Sequence, residues 1–568
     1  MATKPRVHLD LRPNGALGVE HTARLNALAH ASSQAFNEAI DTATVRLKGQ
    51  RSWLYSDPAS RNPLSSDLWY RSAGLALAAE LSMSGTSLDI LTDSPACAKA
   101  LVNWAKRADV AIFVRVAKPI AGSKSLLRRI VSLFGNAVWL IWVFVACRFS
   151  GPRAQLDGRE LVLIDTFCLR DAPTRDRYFP GLFDCLEPDE KARTRFVPTV
   201  CGNGFKGFIS MFRALRADCC NLLKEDYLKL QDILDALVKP LRSLFLRTGP
   251  IEFMGFELEG MIHEELLQIR NYSSMVIAFL NERFAMRLKR SGVRVTRTVS
   301  WFENQPVDKG WQTGFRAMFP NAVRIGYQGF VPQPLYLSLY LTPEEQAAGA
   351  APDELAVMGS ELAAQARLAN GRITVRQAPA FRFRYLTEIQ DISSNISGRV
   401  LVALPMNRLD ALYILKLLVT VQKHVDSSAV SFFIKAHPAE PMQKLLAELG
   451  LKVPDTWQLT DQPMEHILSQ SSMLVSTASS VCVEAVALGI QVALVARPGG
   501  LLLNPLPDSL RDDLWQLCKT HEELARTIQR SAEVSSETRR RHREQSSIFR
   551  NNYFIPIDRP GVLSLLGS

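Results

Sequence analysis

The chain has no CxxC pair, no internal repeat of fixed period, no low-complexity run, and no HxxxH or DxD motif in a suitable place. Each absence excludes a class. The nine Cys are an odd number and are scattered, so neither a disulfide framework nor a cysteine zinc site is expected, and a reducing cytoplasm is the simpler setting. Without a cluster of ligating residues, no metal and no other cofactor is expected. Gly and Pro, at 31 and 30 residues in 568, are ordinary in number, which excludes collagen-like and linker-like chains. The opening residues, MATKPRVHLDLRP, lack the apolar core of a signal peptide. Long apolar runs are scarce too. Only Ile130–Cys147 approaches spanning length, which excludes a polytopic membrane protein.

What is present is the composition of a globular protein, 47% hydrophobic and 22% charged. At about 100–200 residues per domain, the length predicts two to four domains. Lys and Arg number 67 against 56 Asp and Glu, a net charge of +11. That excess suits an anionic partner: nucleic acid, an anionic membrane surface or a phosphorylated substrate.

Apolar patterning divides the chain. Residues 20–48 read as an amphipathic helix within a helical N-terminal addition over 1–84. Leu88–Leu91, Val110–Val116, Leu161–Phe167, Val293–Phe302 and Ala322–Tyr327 read as strands. Residues 222–290 are mostly helical in pattern, and 342–354 read as loop. This predicts a Rossmann-like domain over 85–392, interrupted by an apolar insertion at 118–153. Ser393–Gly398 marks a boundary. Strands at Val400–Leu404, Ala429–Ala436, Met473–Ser476 and Gln491–Ala496 then alternate with helices, predicting a second Rossmann-like domain over 393–555 and a tail at 556–568. The expected fold class is therefore α/β, and ligands in such sheets sit beyond the carboxyl ends of strands.

Two strand ends carry chemistry. Lys435-Ala436-His437-Pro438, with Glu440-Pro441 beyond, makes a rigid positive turn. It suits a phosphate, with His437 donating to a leaving oxygen; a capping histidine beside a solvated lysine is the plainer reading. Ser476-Thr477-Ala478-Ser479-Ser480 brings hydroxyls and backbone N–H groups to a helix start, either as a phosphate cradle or as an N-cap. Glu484, one turn on, suits a ribose hydroxyl or a capping-box role.

A KxHPxEP turn about forty residues ahead of an SS-xxxE-xxxxG segment resembles the donor half of GT-B glycosyltransferases with HP and SS motifs. These include bacterial sialyltransferases, Kdo transferases and CDP-glycerol transferases. Trp301-Phe302-Glu303-Asn304-Gln305, Asp308-Lys309 and Gly326-Tyr327-Gln328-Gly329-Phe330 resemble the surface-carbohydrate-biosynthesis branch of that group. The resemblance implies a GT-B fold and transfer of a Kdo-like or sialic-acid-like sugar from a CMP-activated donor to a surface polysaccharide or glycolipid precursor. It implies nucleotide binding by Lys435, His437, Pro438, Ser479, Ser480 and Glu484. Gln305, Asp308, Tyr327 and Gln328 would lie on the acceptor side. The partners are then a nucleotide sugar, a glycan or lipid-linked acceptor and the cytoplasmic membrane surface, not nucleic acid. An inverting reaction needs an acid in the N-terminal half to deprotonate the acceptor. Glu257-Leu258-Glu259-Gly260 approximates the acid-acid-Gly motif of the sialyltransferases, with Leu258 inserted; Glu303 competes with Glu257 and Glu259. Two alternatives share the motifs: a CDP-polyol phosphotransferase and a non-catalytic membrane-bound assembly factor.

Ile130–Cys147 carries no charge and is flanked by Lys124, Arg128 and Arg129 on one side and Arg148 and Arg153 on the other. A full span would separate strands of one sheet. An interfacial or re-entrant helix avoids that, with Trp139 and Trp142 near lipid headgroups on the inner leaflet. A buried helix or helix pair is the alternative.

Overall fold

The computed structural model describes residues 6–13, 15–117, 122–153, 158–168, 177–201, 205–388, 398–426 and 428–567. The predicted boundary at Ser393–Gly398 lies outside them except for Gly398. Among the described residues the strands run in chain order as β1 (Arg6–Asp10), β2 (Ser87–Thr92), β3 (Ile112–Val116), β4 (Glu160–Cys168), β5 (Thr194–Val200), the hairpin β6 (Glu252–Phe253) and β7 (Phe256–Glu257), β8 (Arg294–Trp301), β9 (Val323–Gln328), β10 (Glu354–Val357) and β11 (Thr374–Gln377). The second half adds β12 (Arg399–Ala403), β13 (Ser431–Lys435), β14 (Trp457–Leu459), β15 (Met473–Ser476), β16 (Gln491–Val495) and β17 (Trp515–Cys518).

Two six-stranded parallel sheets result. One has the order β11-β10-β9-β8-β4-β5, the other β14-β13-β12-β15-β16-β17. Relative to the chain, the second order is 3-2-1-4-5-6, that of a Rossmann fold. The cause is legible in β12 and β15, whose runs RVLVA and MLVS are apolar on both faces, as strands covered by helices on two sides must be. Val400, Leu401, Val402, Leu474 and Val475 are completely buried. The α/β architecture is thus two Rossmann-like bodies, and their carboxyl strand ends open on one cleft in the GT-B manner.

Three expectations change. β2 and β3 do not join the first large sheet; they pair in parallel with β1 in a separate three-stranded sheet. The N-terminal addition therefore contributes a strand as well as helices, and a border at residue 85 cuts through that sheet. The tail does not stand apart. The helices Ser536–Tyr553 and Arg559–Leu566 return to the first body, where Ile555 donates its backbone N–H to Met358 and Arg559 pairs with Glu190 at 2.8 Å. The loop expected over 342–354 contains the short helix Pro343–Ala347. Thr342 and Glu345 close a reciprocal capping box at its start, a signal present in the run TPEE.

The insertion forms a helix, Gly122–Phe149. Its inner face, with Val143, Ala146 and Cys147, packs on Phe208, Met211 and Phe212 of the helix after β5. Among the described residues no helix is long and apolar enough to cross a membrane.

Candidate functional site

A cavity of about 1130 Å³ lies between the bodies. Five strand ends of the second sheet feed its donor wall. Leu404–Asn407 follow β12, Lys435–Pro438 follow β13, Thr477–Ser480 follow β15, Ala496–Pro498 follow β16 and Lys519 follows β17. All six nucleotide-binding residues expected from the sequence, Lys435, His437, Pro438, Ser479, Ser480 and Glu484, line this one cavity.

His437 is half-buried, and its ring Nδ1 accepts the backbone N–H of Ala439 at 3.1 Å. Burial, aided by the nearby Arg177 guanidinium, holds its pKa below the ordinary value of 6.5, so the ring is neutral at neutral pH. With Nδ1 an acceptor, the single proton of the neutral ring sits on Nε2, which is the nitrogen left to donate to a ligand. The turn itself is pinned by Lys435, whose ammonium donates to the Gln462 carbonyl at 2.6 Å.

Ser479 is the N-cap residue of the helix Ser480–Ala487, yet its side chain makes no capping hydrogen bond. The capping alternative is therefore not realised. The hydroxyl and the first-turn N–H groups meet at the positive end of the helix dipole and face the cavity, a combination suited to an anion. Glu484 is not a capping-box acid either: it accepts a hydrogen bond from Tyr385, across from the first body. Burial raises its pKa.

The opposite wall carries Pro63, Leu64, Asp67, Tyr70, Gln333 and Tyr336. Six cations, Arg177, Arg382, Lys435, Arg497, Arg511 and Lys519, line the cavity against four carboxylates, Asp67, Asp410, Glu465 and Glu484. Arg497 and Asp410 neutralise each other at 2.6 Å, so the remaining field favours a negative ligand. One end of the cavity is bridged. Thr22 and Asn26 on the helix Val19–Arg46 bond the backbone of Gly499, Gly500 and Leu502, with Thr22 Oγ1 accepting from Gly499 at 2.8 Å. Gly499 has φ +81°, and a Cβ there would collide with the Gly15 carbonyl oxygen, so only glycine permits this approach.

The acceptor-side expectations are corrected. Tyr327 is fully buried and donates to the Pro379 carbonyl at 2.7 Å; Gln328 donates to the Leu339 carbonyl at 2.8 Å. Asp308 is buried and accepts the backbone N–H groups of Glu303 and Gln305, as the capping-box acid of the helix Pro306–Met318. Strand positions in a sheet covered on both faces, and a helix N3 position, leave these side chains no route to the cleft. Gln305 alone approaches it, donating to the cavity-lining Tyr336 hydroxyl at 3.3 Å and accepting from Asn62 at 3.0 Å. Lys309, Asn304 and Glu345 join Arg61 in a buried charge network.

The three acids separate as well. Glu257, in the β6–β7 hairpin, lies 3.8 Å from Arg107 in the last turn of the helix Pro95–Ala108, which leads away from the carboxyl ends. Glu259 opens the next helix, Glu259–Gln268, and neither residue lines the cavity. Glu303 accepts from the Trp301 indole at 2.9 Å and is close enough to act on the Tyr336 phenol, but it does not itself line the cavity. Burial and then the Glu303 charge push the Tyr336 phenol up to about 12. Asp67, which no sequence pattern marked, lines the acceptor wall and is paired with Arg71 at 3.6 Å and with Arg270. Among the described residues one group of acid and thiol atoms is close enough to share a cation, Asp218, Cys219 and Cys220, and it lies outside the cavity.

No family model and no curated protein matches the chain. Among solved structures it is similar to TarM, at 13% identity over 51% of this chain and 58% of that one, with a TM-score of 0.33. The chain thus spans less than two thirds of TarM. It is also similar to an α,α-trehalose 6-phosphate synthase from Burkholderia multivorans, at 11% identity over 71% of this chain and 94% of that one, TM-score 0.40. The MnaA–UDP structure from S. aureus matches at 11% identity over 70% and 93%, TM-score 0.40.

Proposed function

We propose that the chain transfers a sugar from a nucleotide-activated donor to an acceptor hydroxyl held on the opposite wall of the cleft. The observation that carries this reading is the meeting, on one wall, of an Nε2–H donor at His437 with an uncapped helix start at Ser479–Ser480. Both suit the phosphate of a departing nucleotide. In the proposed step the bond between the anomeric carbon and the donor phosphate oxygen breaks, and its electron pair leaves on the nucleotide. His437 and the Ser480 helix dipole offset that charge. The acceptor oxygen bonds the anomeric carbon and yields its proton to a carboxylate of the N-terminal half, Asp67 on the cavity wall or Glu303 close to Tyr336.

The finer reading is a CMP-activated ulosonic acid, Kdo-like or sialic-acid-like, moved to a surface polysaccharide or lipid-linked precursor. The HP and SS segments support it. So do Arg177 and Arg382, guanidiniums beside the donor turn that would take a sugar carboxylate in a bidentate pair.

A thermal-shift panel of CMP, CDP, UDP and GDP tests the donor. A nucleotide at a hundred times its Kd stabilises by about 2.7 kcal/mol, and CMP is expected to give the largest rise in Tm. Ser479→Ala combined with Ser480→Ala should weaken CMP by at least about tenfold, since hydrogen bonds to charged groups contribute about 1.5–3 kcal/mol each. A response to UDP alone would sink the cytidine donor; no response to any nucleotide would sink the transfer reading. Phosphate retained in the product linkage would identify a phosphotransferase instead.

The base is tested separately. Of Asp67→Asn and Glu303→Gln, one is expected to lower transfer by roughly 10²–10⁴-fold with CMP binding kept. Glu257→Gln and Glu259→Gln should transfer as the parent does. Full activity in both Asp67→Asn and Glu303→Gln would remove these two acids of the N-terminal half from the mechanism.

A further inference from the structure

The two bodies meet beside the cavity in an apolar core, where Phe381 and Leu386 of the first join Leu474 and Val486 of the second. They also meet through a polar contact supplied by the N-terminal addition. The helix Val19–Arg46 is rooted on the first body by its C-terminal half. There Thr342 donates to Asp41 at 2.8 Å, and Arg46 donates to the Thr248 carbonyl at 3.3 Å. Phe36 packs on Trp69, ring centroids 4.7 Å apart, so the helix moves with the segment that carries Asp67 and Tyr70. Its 28 residues form a rod about 40 Å long at 1.5 Å per residue. The N-terminal half of that rod faces the second body and bonds the loop 498–503 after β16. Thr22 Oγ1 accepts the Gly499 N–H at 2.8 Å, Asn26 Oδ1 accepts the Leu502 N–H at 2.6 Å, and Asn26 Nδ2 donates to the Gly500 carbonyl at 3.1 Å.

Proton placement fixes these bonds. The Thr22 hydroxyl gives its proton to the Gly18 carbonyl at 2.9 Å, which leaves a lone pair for Gly499. Asn26 Nδ2 gives its other proton to the Thr22 carbonyl at 2.9 Å. A reversed amide would set N–H against the Leu502 N–H, so one orientation alone satisfies all four groups. The backbones fit as closely. A Cβ on Gly499 would collide with the Gly15 carbonyl, and one on Gly15 would collide with the Asp10 carboxylate.

The same seam carries an opposing cost. Tyr70 lines the cavity and is buried, and among the described residues its hydroxyl has no hydrogen-bond partner. After burial, the charges that act most on this phenol are Asp10 of the addition and Arg497 of the second body. An unpaired buried hydroxyl is unfavourable, and water would satisfy it if the seam parted. Three neutral hydrogen bonds thus hold the seam against one orphaned group.

We propose that the helix Val19–Arg46 and the loop 498–503 form a latch that holds the acceptor and donor walls at one spacing and parts to widen the cavity. Thr22 and Asn26 are then positioning residues, which act through the distance between the walls. A ligand that touches both walls gains its second set of contacts only in the latched fraction, so that fraction sets its apparent affinity. A ligand on the donor wall alone is indifferent to it. What the latch serves rests on the transfer reading; the latch itself does not.

Thr22→Val with Asn26→Leu removes all three bonds at nearly constant volume. Each neutral hydrogen bond contributes a few-fold to about tenfold, so hydrogen exchange at Gly499 and Leu502 should speed by about tenfold or more. Exchange in β8 and β12 should stay as in the parent, and small-angle scattering should show a larger radius of gyration. Gly499→Ala attacks the seam from the loop side and should do the same. Asn26→Asp, a milder change, keeps the acceptor for Leu502, loses the donor to Gly500 and should fall between. CMP should keep its Kd within about twofold in the double variant, while transfer kcat/KM should fall by about tenfold or more. Unchanged exchange at Gly499 and Leu502, or an unchanged radius, would overturn the latch. Faster exchange with parental transfer would reduce the contact to a structural tie, and a CMP affinity that falls as far as transfer does would place Thr22 and Asn26 in the donor site; either overturns the positioning role. A parent chain that binds no nucleotide would sink the transfer reading instead, and exchange and scattering would still decide the latch.

Discussion

Replacing His437 with Ala is expected to lower transfer by about 10²–10³-fold, the usual loss when one preorganised donor to a developing negative charge is removed. The argument rests on proton placement. Nδ1 is committed to the Ala439 N–H, so Nε2 must carry the proton of the neutral ring. Nothing needs to reorganise when charge builds on the leaving phosphate. His437→Gln restores a terminal N–H donor of similar reach and should recover part of the loss, whereas Ala should not. The burial that depresses the pKa keeps the ring neutral through neutral pH, so transfer should be flat as pH rises above about 6.5. It should change only on acidification, when protonation of Nδ1 breaks the Ala439 bond. Folding should be unaffected, because the turn lies at the cleft surface and the β13 core residues Phe432 and Ile434 are untouched. Purified His437→Ala with parental kcat/KM would remove the histidine from the mechanism.

The donor wall was legible in the sequence for a physical reason. Parallel strands buried on both faces are apolar throughout, and the segment at each carboxyl end must either turn or bind. The HP and SS segments therefore stand out against VSFFI and MLV. The acceptor wall was not legible. Its residues come from the helix starting at Leu68, the loop after β9 and a bridge between Asn26 and Gly500 that spans 474 residues. No local pattern encodes such a contact. Short polar motifs also misled. The segments with Asp308, Tyr327 and Gln328 resemble an acceptor side, but these side chains satisfy the backbone instead. The apolar run at 130–147 set the position of the insertion helix. That Val143, Ala146 and Cys147 pack inward depended on Phe208 and Phe212, beyond β5, which no periodicity within the helix reveals.

The largest stability effect is expected at Glu345. Its carboxylate lies 2.5 Å from Arg61 and 2.7 Å from Lys309, and it accepts from Asn304 and from the Thr342 backbone. Side-chain exposure is 0% for Arg61, 1% for Lys309 and 4% for Glu345, so water cannot replace a missing partner. Arg61 belongs to the N-terminal addition and Lys309 to the first Rossmann-like body, so this carboxylate fastens one to the other and holds the Asn62–Pro63–Leu64 segment at the acceptor wall. Glu345→Ala leaves two buried cations unpaired and should cost about 3–5 kcal/mol. Glu345→Gln keeps the hydrogen bonds from Asn304 and Thr342 and should fall between. Adding Lys309→Met to Glu345→Gln removes one orphaned cation and should recover part of the loss. The pH dependence arises from the same pairs. Burial alone would raise the Glu345 pKa, but Arg61 and Lys309 overcome it and hold it below 4.5. A depressed folded-state pKa contributes stability that is present above the unfolded value and lost as pH falls through the folded one. The parent should therefore lose stability on acidification below about pH 4.5, and Glu345→Gln should lose less over the same interval. Urea unfolding followed by tryptophan fluorescence at pH 7 and pH 4 measures both effects. Parental stability in Glu345→Ala, or an acid response in Glu345→Gln as steep as the parent's, would mean that the addition is held to the first body by apolar packing alone.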